Sequence, residues 1–234
     1  GVATTRLMTA AALTRFAPAP TGFLHLGHVV NAIFVWGLAR RFGADVLLRI
    51  EDHDAQRSHA SCETALLDDL DWLGFVPDRY PTGSFRAGAC LSLQSNRHHV
   101  YAAAAQHLRR TGRLYACTCS RRAIAEYQRS SPSASATCPG QCRTRARPLD
   151  TNVTWRVHLD GGDATFVDLL HGKVTCAPAS APLDPAVRDR HGNWTYTFAV
   201  VVDDFDQCVT LVVRGDDLLD ATPVQLQLAR LLGR

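Results

Sequence analysis

The 234-residue chain has no run approaching the roughly 18 consecutive apolar residues of a membrane-spanning helix, and residues 1–13 lack the long apolar core of a secretory signal. These absences predict a soluble, cytoplasmic protein with no membrane partner. Lysine is almost missing: Lys173 stands alone among 25 Lys and Arg residues, so nearly every cation is a guanidinium. A formal net charge of +3 is too small to argue for nucleic-acid binding by itself. Eight cysteines are few for a disulfide scaffold of this length, and four of them crowd into 117–142, which suits a metal better than bridges. There is no internal repeat and no long low-complexity tract; 130–136 reads as a small flexible loop. With 46% hydrophobic residues, wholesale disorder is excluded, and the length suits one large domain or a domain carrying an insertion.

What is present begins with a short strand over 13–16, a Pro/Gly loop over 18–22 and an apolar segment over 29–38, closed by Arg40, Arg41 and a capping Gly43. Val29, Val30, Ile33, Phe34, Trp36 and Leu38 fall on nearly every face, which predicts a buried helix. The apolar run 46–50, broken by Arg49, predicts a strand covered on both sides, and strand, helix, strand is a βαβ unit. Further helices are expected through Leu66, Leu67, Leu70 and Leu73 up to Gly74, and over 95–110 before Gly112. From 115 to 190 the chain turns rich in Pro, Ser, Gly and Arg, with short alternating pieces at 153–159 and 165–169 around Gly161 and Gly162. This predicts an inserted, mostly β or irregular subdomain held by metal. Parallel strands are expected to resume at 198–202 and 209–213. A closing helix follows, with Thr222 as N-cap, Pro223 at the first helical position and Gln225 completing a capping box. The fold class is therefore α/β, a Rossmann-type doubly wound parallel sheet split into 1–114 and 191–234 by an insertion over 115–190.

Three constellations carry chemistry. The loop Arg15, Phe16, Ala17, Pro18 and Ala19 leads to His25, Leu26, Gly27 and His28, at the strand-to-helix junction where an open parallel sheet offers its crevice. Helix-terminal N–H groups favour anions there, Gly27 leaves room for a flat base, and two imidazoles three positions apart can donate to phosphate oxygens. Alone, two such histidines also fit a proline-rich surface turn. Arg15, Glu51 and Arg214 supply the two cations and one anion that a free dicarboxylic amino acid needs. Equally, Arg49 and Glu51 suit a surface ion pair, and Tyr196 a half-buried strand aromatic. Asp203 and Asp204 fit a metal or RNA contact or a turn. Cys117 and Cys119, eighteen residues, then Cys138 and Cys142 form two close thiol pairs that suit a tetrahedral structural zinc site, against a reading as four unligated thiols. Cys62, Cys90, Cys176 and Cys208 read as ordinary core or surface residues. Arg109, Arg110, Arg113, Arg121, Arg122, Arg129, Arg143, Arg145 and Arg147 flank that segment as either an RNA-backbone surface or a solvated basic face.

The run 15–28 resembles the first signature of class I aminoacyl-tRNA synthetases in its glutamate-type form, with His25 to His28 in place of the HIGH tetrapeptide. Arg49-Ile50-Glu51-Asp52 with Asp54, the segment 196–204, and Arg214 through Leu219 to Thr222 and Gln225 follow in the family's order and spacing. The resemblance spans nearly the whole chain; Ala19 stands where family members usually have serine. It implies a class I synthetase core with glutamate bound by Arg15, Phe16, Ala17, Pro18, Ala19, Glu51, Tyr196 and Arg214. ATP, accompanied by Mg²⁺, would be held by His25, Gly27 and His28, with the two histidines catalytic. In this family the glutamate carboxylate attacks the α-phosphate of ATP, giving glutamyl-adenylate and pyrophosphate, and the acyl group passes to an RNA hydroxyl. Glutamyl-Q tRNA(Asp) synthetases carry zinc at the position of the cysteine cluster, often with tyrosine in place of Cys138.

The lysine-bearing loop of the KMSKS type and a helical anticodon-binding domain have no counterpart in these 234 residues. The chain is either part of a longer protein or a reduced form. The lack of a counterpart to the anticodon-binding domain, with the short insertion and the Asp217-Leu218-Leu219 variant after Arg214-Gly215, favours the branch that attaches glutamate to queuosine in tRNA(Asp). The catalytic part of a glutamyl-tRNA synthetase, or a silent glutamate- or RNA-binding derivative, is the alternative.

Overall fold

Four consecutive buried residues form β1 (Leu13–Phe16), which pairs in parallel with β2 (Asp45–Leu48), Leu13 opposite Asp45 and Phe16 opposite Leu48. The computed structural model describes residues 12–54, 57–88, 90–130, 138, 141–176 and 184–234. The loop expected over 130–136 thus lies, apart from Ser130, outside the described residues, as does most of the run 1–13. Parallel strands cannot be joined by a tight turn, and the connection here is α1 (Leu26–Phe42), closed by Gly43 in the left-handed region at φ 62°. Parallel bridges from Leu47 to Arg79 and from Ile50 to Leu93 widen the sheet beyond this pair. α2 (Ala60–Leu73) buries Cys62, Leu66, Leu67 and Leu70 and stops at Gly74, again left-handed, before the short α3 (Thr82–Arg86).

The expectation for α1 needs correction. Only Ala32, Val35 and Ala39 are buried, while Leu26, Val30, Ile33, Phe34 and Phe42 stay exposed. The helix is apolar all round, but one face alone meets the core of Phe16, Leu48, Ile50, Leu66 and Phe85.

The chain divides into two compact units, Gly1–Asn96 with Gln207–Arg214, and Arg97–Asp206 with Gly215–Arg234. In the first, the expected strand at 209–213 forms no ladder. The segment runs beside β1, with the amides of Thr210 and Leu211 both donating to the Leu13 carbonyl and Thr210 Oγ1 accepting from the Leu13 amide. One carbonyl taking two amides breaks the regular alternation a strand requires.

The second unit begins with α4 (His98–Arg110), preceded by a 3-10 turn over Gln94–Arg97, so the helix expected over 95–110 starts three residues late. Its sheet is antiparallel, with β3 (Leu114–Cys117), β4 (Thr154–Val157) and β7 (Ala186–Arg188) in that order. A separate antiparallel hairpin joins β5 (Ala164–Asp168) and β6 (Gly172–Cys176). Between the first two strands of the sheet stands α5 (Arg121–Ser130), a polar helix that the apolar pattern did not announce.

Two further expectations fail here. Residues 198–202 belong to a helix, α6 (Tyr196–Asp206), whose Phe198, Ala199, Val200, Val201 and Val202 are all buried. A continuous apolar run has no period to separate a covered strand from a core helix, and this one is enclosed by Tyr101, Leu108, Val157, Trp194 and Leu228. The closing helix, α7 (Thr222–Leu231), begins with Thr222 already helical because a 3-10 turn over Asp216–Ala221 runs straight into it. Ala221 is the N-cap and makes no side-chain cap; the Thr222 hydroxyl instead reaches back to the Leu218 carbonyl at 3.4 Å.

Candidate functional site

In the first unit, the loop after β1 and the residues after β2 are tied together through the backbone. The Arg49 amide donates to the Phe16 carbonyl and the Glu51 amide to the Pro18 carbonyl, both at 3.0 Å. Phe16 and Pro18 are buried, Ala17 is half-buried and Ala19 exposed. Arg15, only 5% exposed, extends its guanidinium to the Val213 carbonyl at 3.1 Å, next to Arg214. Arg15 in β1 and Glu51 just after β2 lie towards the carboxyl ends of parallel strands, where such sheets bind ligands, and Arg214 follows the segment that runs beside β1 in the same unit.

Arg49 is not part of a surface pair. It is fully buried and donates from Nε and Nη2 to Glu51 Oε1 at 3.4 and 3.2 Å, and from Nη1 to Gln207 Oε1 at 3.0 Å. Gln207 in turn donates to the Ser92 hydroxyl at 3.2 Å, and that hydroxyl donates to the Leu48 carbonyl at 2.7 Å. This network fixes the Glu51 carboxylate from beneath. The same region holds His53 Nδ1 2.6 Å from Gln94 Oε1, while Asp52 accepts the Ser95 amide at 2.8 Å.

His25 and His28 lock the start of α1. The Gly27 amide donates to His25 Nδ1 at 3.1 Å and the His25 amide to His28 Nδ1 at 3.2 Å, a reciprocal cap made by two imidazoles. An acceptor at Nδ1 places the neutral ring's proton on Nε2. Each ring therefore keeps one N–H donor beyond the cap, at the positive end of a 17-residue helix. The ring centroids are 4.0 Å apart. A Cβ on Gly27 would meet His25 Cε1 at 2.9 Å, so the close ring needs glycine here.

Burial, and then the neighbouring His25, hold the His28 imidazole below its ordinary value of 6.5. Because the unfolded chain takes up this proton first, stability falls as pH drops through 6.5 towards the folded midpoint and levels off beneath it. An NMR titration should find His28 with its midpoint under 6.5, and His25→Ala should raise it only in part, since burial is the larger cause.

Tyr196 belongs to the second unit, half-buried at the first turn of α6 rather than at a strand end. Asp203 is fully buried in the same helix, accepting from Arg97 Nε at 2.6 Å and from the Tyr101 hydroxyl at 2.9 Å. It is an interior anchor, neither a turn residue nor a surface ligand. The Asp204 carbonyl accepts from Arg234 at 3.1 Å.

Also in the second unit, Cys117 ends β3, Cys119 follows it, and Cys138 and Cys142 lie beyond α5. All four sulfurs are within 4.8 Å of one another, with Cys119 and Cys142 Sγ at 3.7 Å and no disulfide. A tetrahedron of metal–sulfur bonds near 2.3 Å has edges of about 3.8 Å, so these four cysteines could hold one ion. Their surroundings fit that role: Cys117, Cys138 and Cys142 are buried with Tyr115 and Ile124 in a core too small to stand on apolar contact alone. Burial pushes the Cys138 thiol up to about 12. The Cys142 thiol, although buried, is drawn down to about 7 by the Thr118 backbone and the other cysteines. Pro139 and Gly140 lie outside the described residues. Of the other cysteines, Cys62 and Cys90 are buried, Cys176 is half-buried and Cys208 is exposed.

Sequence reading missed the Arg97–Asp203–Tyr101 network and the Gln207 support of Arg49, each joined across more than a hundred residues.

A family described as "tRNA synthetases class I (E and Q), catalytic domain" matches residues 11–234. The chain is 39% identical over 227 residues to a glutamate–tRNA ligase of Nitrosospira multiformis, covering 94% of this chain and 46% of that protein. It is 40% identical over 225 residues to a glutamyl-Q tRNA(Asp) synthetase of Cupriavidus metallidurans, covering 94% and 69%. A crystal structure of a glutamate–tRNA synthetase from Elizabethkingia anophelis superposes with a TM-score of 0.80 at 26% identity, over 95% of this chain and 48% of that one. The chain spans about half the length of the glutamate–tRNA ligases it matches. A matching profile over nearly every residue, carried on a nucleotide-type βαβ unit and a cysteine cluster, places the chain in the class I glutamyl-tRNA synthetase family, ligases of the aminoacyl-tRNA synthetase type.

Proposed function

We propose that the protein activates glutamate with ATP and transfers it to the queuosine base of tRNA(Asp). The observation that carries the first half is the disposition of Arg15, Glu51 and Arg214 in one unit with the imidazole-capped start of α1. Two guanidiniums match two carboxylates and Glu51 matches the ammonium group. The glutamate main-chain carboxylate attacks the α-phosphate, the bond to the β-phosphate breaks and pyrophosphate leaves. That carboxylate is ionised at neutral pH, so no general base is required. His25 and His28 donate Nε2–H to the phosphates, and Gly27 lets the nucleotide approach. Mg²⁺ bound with ATP supplies charge neutralisation. In the second step a queuosine hydroxyl takes the acyl group and AMP departs.

Support for the acceptor comes from relatives named glutamyl-Q tRNA(Asp) synthetase at 40% identity. The runner-up, the catalytic part of a glutamate–tRNA ligase, is supported by the 36–39% identity to proteins of that name. Labelled glutamate supplied with ATP to the full protein should appear on queuosine-containing tRNA(Asp) and not on the acceptor end of tRNA(Glu). The reverse pattern selects the runner-up, and no glutamate-dependent ATP–pyrophosphate exchange selects a silent binding derivative. A cytoplasmic location accompanies either RNA substrate; no described helix is long and apolar enough to cross a membrane.

The ion at Cys117, Cys119, Cys138 and Cys142 is, on this reading, structural zinc within a subdomain over 115–190. Freshly purified protein should contain about one equivalent of zinc. Cys138→Ser with Cys142→Ser should abolish it and loosen the small core around Tyr115 and Ile124. Metal-free protein with unchanged folding would remove the assignment.

A further inference from the structure

A cavity of about 490 Å³ opens in the second unit, and four of its lining residues are Arg109, Arg113, Arg143 and Arg147. They come from different places in the chain: the last turn of α4, the approach to β3, and the segment that follows Cys142. His158, just after β4, completes the polar wall. No acidic residue lines the cavity. Arg113 spends its charge on an ion pair with the exposed Asp160, and the Arg143 guanidinium donates to His158 Nε2. Asp184 lies deeper, accepting from the Tyr115 hydroxyl at 3.0 Å and from the Leu159 amide at 3.3 Å. Arg109 and Arg147 have no ion pair or side-chain hydrogen bond among the described residues.

Four guanidiniums converging on one concavity repel one another, and the nearby carboxylates do not balance them. Guanidinium forks offer paired N–H donors matched to phosphate oxygens. The volume falls in the range of roughly 300–1,000 Å³ that holds small ligands, larger than one phosphate needs, and Leu114, Pro148 and Leu149 give it an apolar side. We infer that this cavity is a site for phosphate-class anions, with an RNA phosphodiester segment or free pyrophosphate as the source. It is separate in the chain from the phosphate-binding histidines, and only the RNA source rests on the RNA-acceptor reading. Because β3 ends at Cys117 and Arg143 follows Cys142, the same segments form the cavity wall and the cysteine cluster.

The test is binding without glutamate or ATP, so that failure of amino-acid activation and failure of this site are read separately. Calorimetry would use the full protein with inorganic pyrophosphate and, in a second arm, a short single-stranded RNA. Arg109→Gln with Arg147→Gln should weaken at least one probe by about tenfold or more, and flatten the salt dependence of RNA binding. Arg121→Gln with Arg122→Gln, which removes the same charge from exposed positions of α5, should change either probe less than about twofold. A loss confined to RNA identifies the phosphodiester as source, and a loss for pyrophosphate identifies the small anion. Equal weakening by both double variants would show a diffuse basic face and overturn the site, as would absence of binding by both probes, or binding of both left unchanged by Arg109→Gln with Arg147→Gln.

Discussion

Replacing Asp203 with alanine should destabilise the second unit by about 3–5 kcal/mol, the usual consequence of removing one partner of a buried ion pair. Arg97 is 4% exposed and Asp203 not at all, and the two are joined at 2.6 Å between the start of α4 and the middle of α6. Without the carboxylate, the buried Arg97 guanidinium loses a counter-charge at 2.6 Å, and the Tyr101 hydroxyl loses the acceptor it holds at 2.9 Å. Asp206 bonds another nitrogen of Arg97 at 2.6 Å but is itself half exposed, so it compensates only in part. Pairing with Asp206 and Asp203 keeps the Arg97 guanidinium above its ordinary value even though burial opposes this. Urea unfolding followed through Trp194, which lies 6.2 Å from the Tyr101 ring, would register the loss. The double variant Arg97→Met, Asp203→Leu should recover much of it, because removing both charges eliminates the unpaired one. If Asp203→Ala alone shifts stability by less than about 1 kcal/mol, the pair is not the anchor described, since that is the range of exposed pairs.

Asp203 also marks where the sequence stops being informative. Its partner is 106 residues away, and neither position shows in its neighbours that it is buried. The same is true of Arg49, whose support from Gln207 spans 158 residues and turns what reads as a surface charge into the most enclosed cation of the site. Local geometry was legible where a single residue type dictates it. Gly43 and Gly74 adopt φ of 62° and 74°, which costs a residue with a Cβ, and both helix ends fall there. The cysteine spacing likewise carried its cluster directly. Period-based reading failed for 198–202, where every position is apolar, and for α5, where Ile124 is the one side chain buried among those described in a helix rich in polar residues. The capping pattern at Thr222 failed because its neighbours upstream already coil into a 3-10 turn, which no triplet of capping residues encodes.

The amino-acid site yields the second large effect. On the proposed function, Glu51→Gln should lower glutamate-dependent ATP–pyrophosphate exchange by about 10²–10³-fold, in line with the 2–5 kcal/mol lost when one member of a desolvated charge pair is neutralised. The substitution preserves shape and leaves an amide oxygen able to accept from Arg49, yet it removes the anion assigned to the substrate ammonium. The buried Arg49 would lose the carboxylate it bonds at 3.2 Å, so the variant should also melt at lower temperature. These two consequences separate by their readouts. Loss of the substrate contact appears as weaker glutamate binding in calorimetry at a temperature where the variant is fully folded, with the affinity for ATP little changed. A purely structural role would instead move glutamate and ATP binding together and only near the melting range. Gln207→Leu supplies the complement, for it removes a hydrogen bond to Arg49 at 3.0 Å without touching the carboxylate. It should lower stability modestly and glutamate affinity by no more than a few-fold, about the worth of one charge-assisted hydrogen bond. Full exchange activity in Glu51→Gln would show that the ammonium is held elsewhere, and the clasp formed with Arg15 and Arg214 would lose its central member.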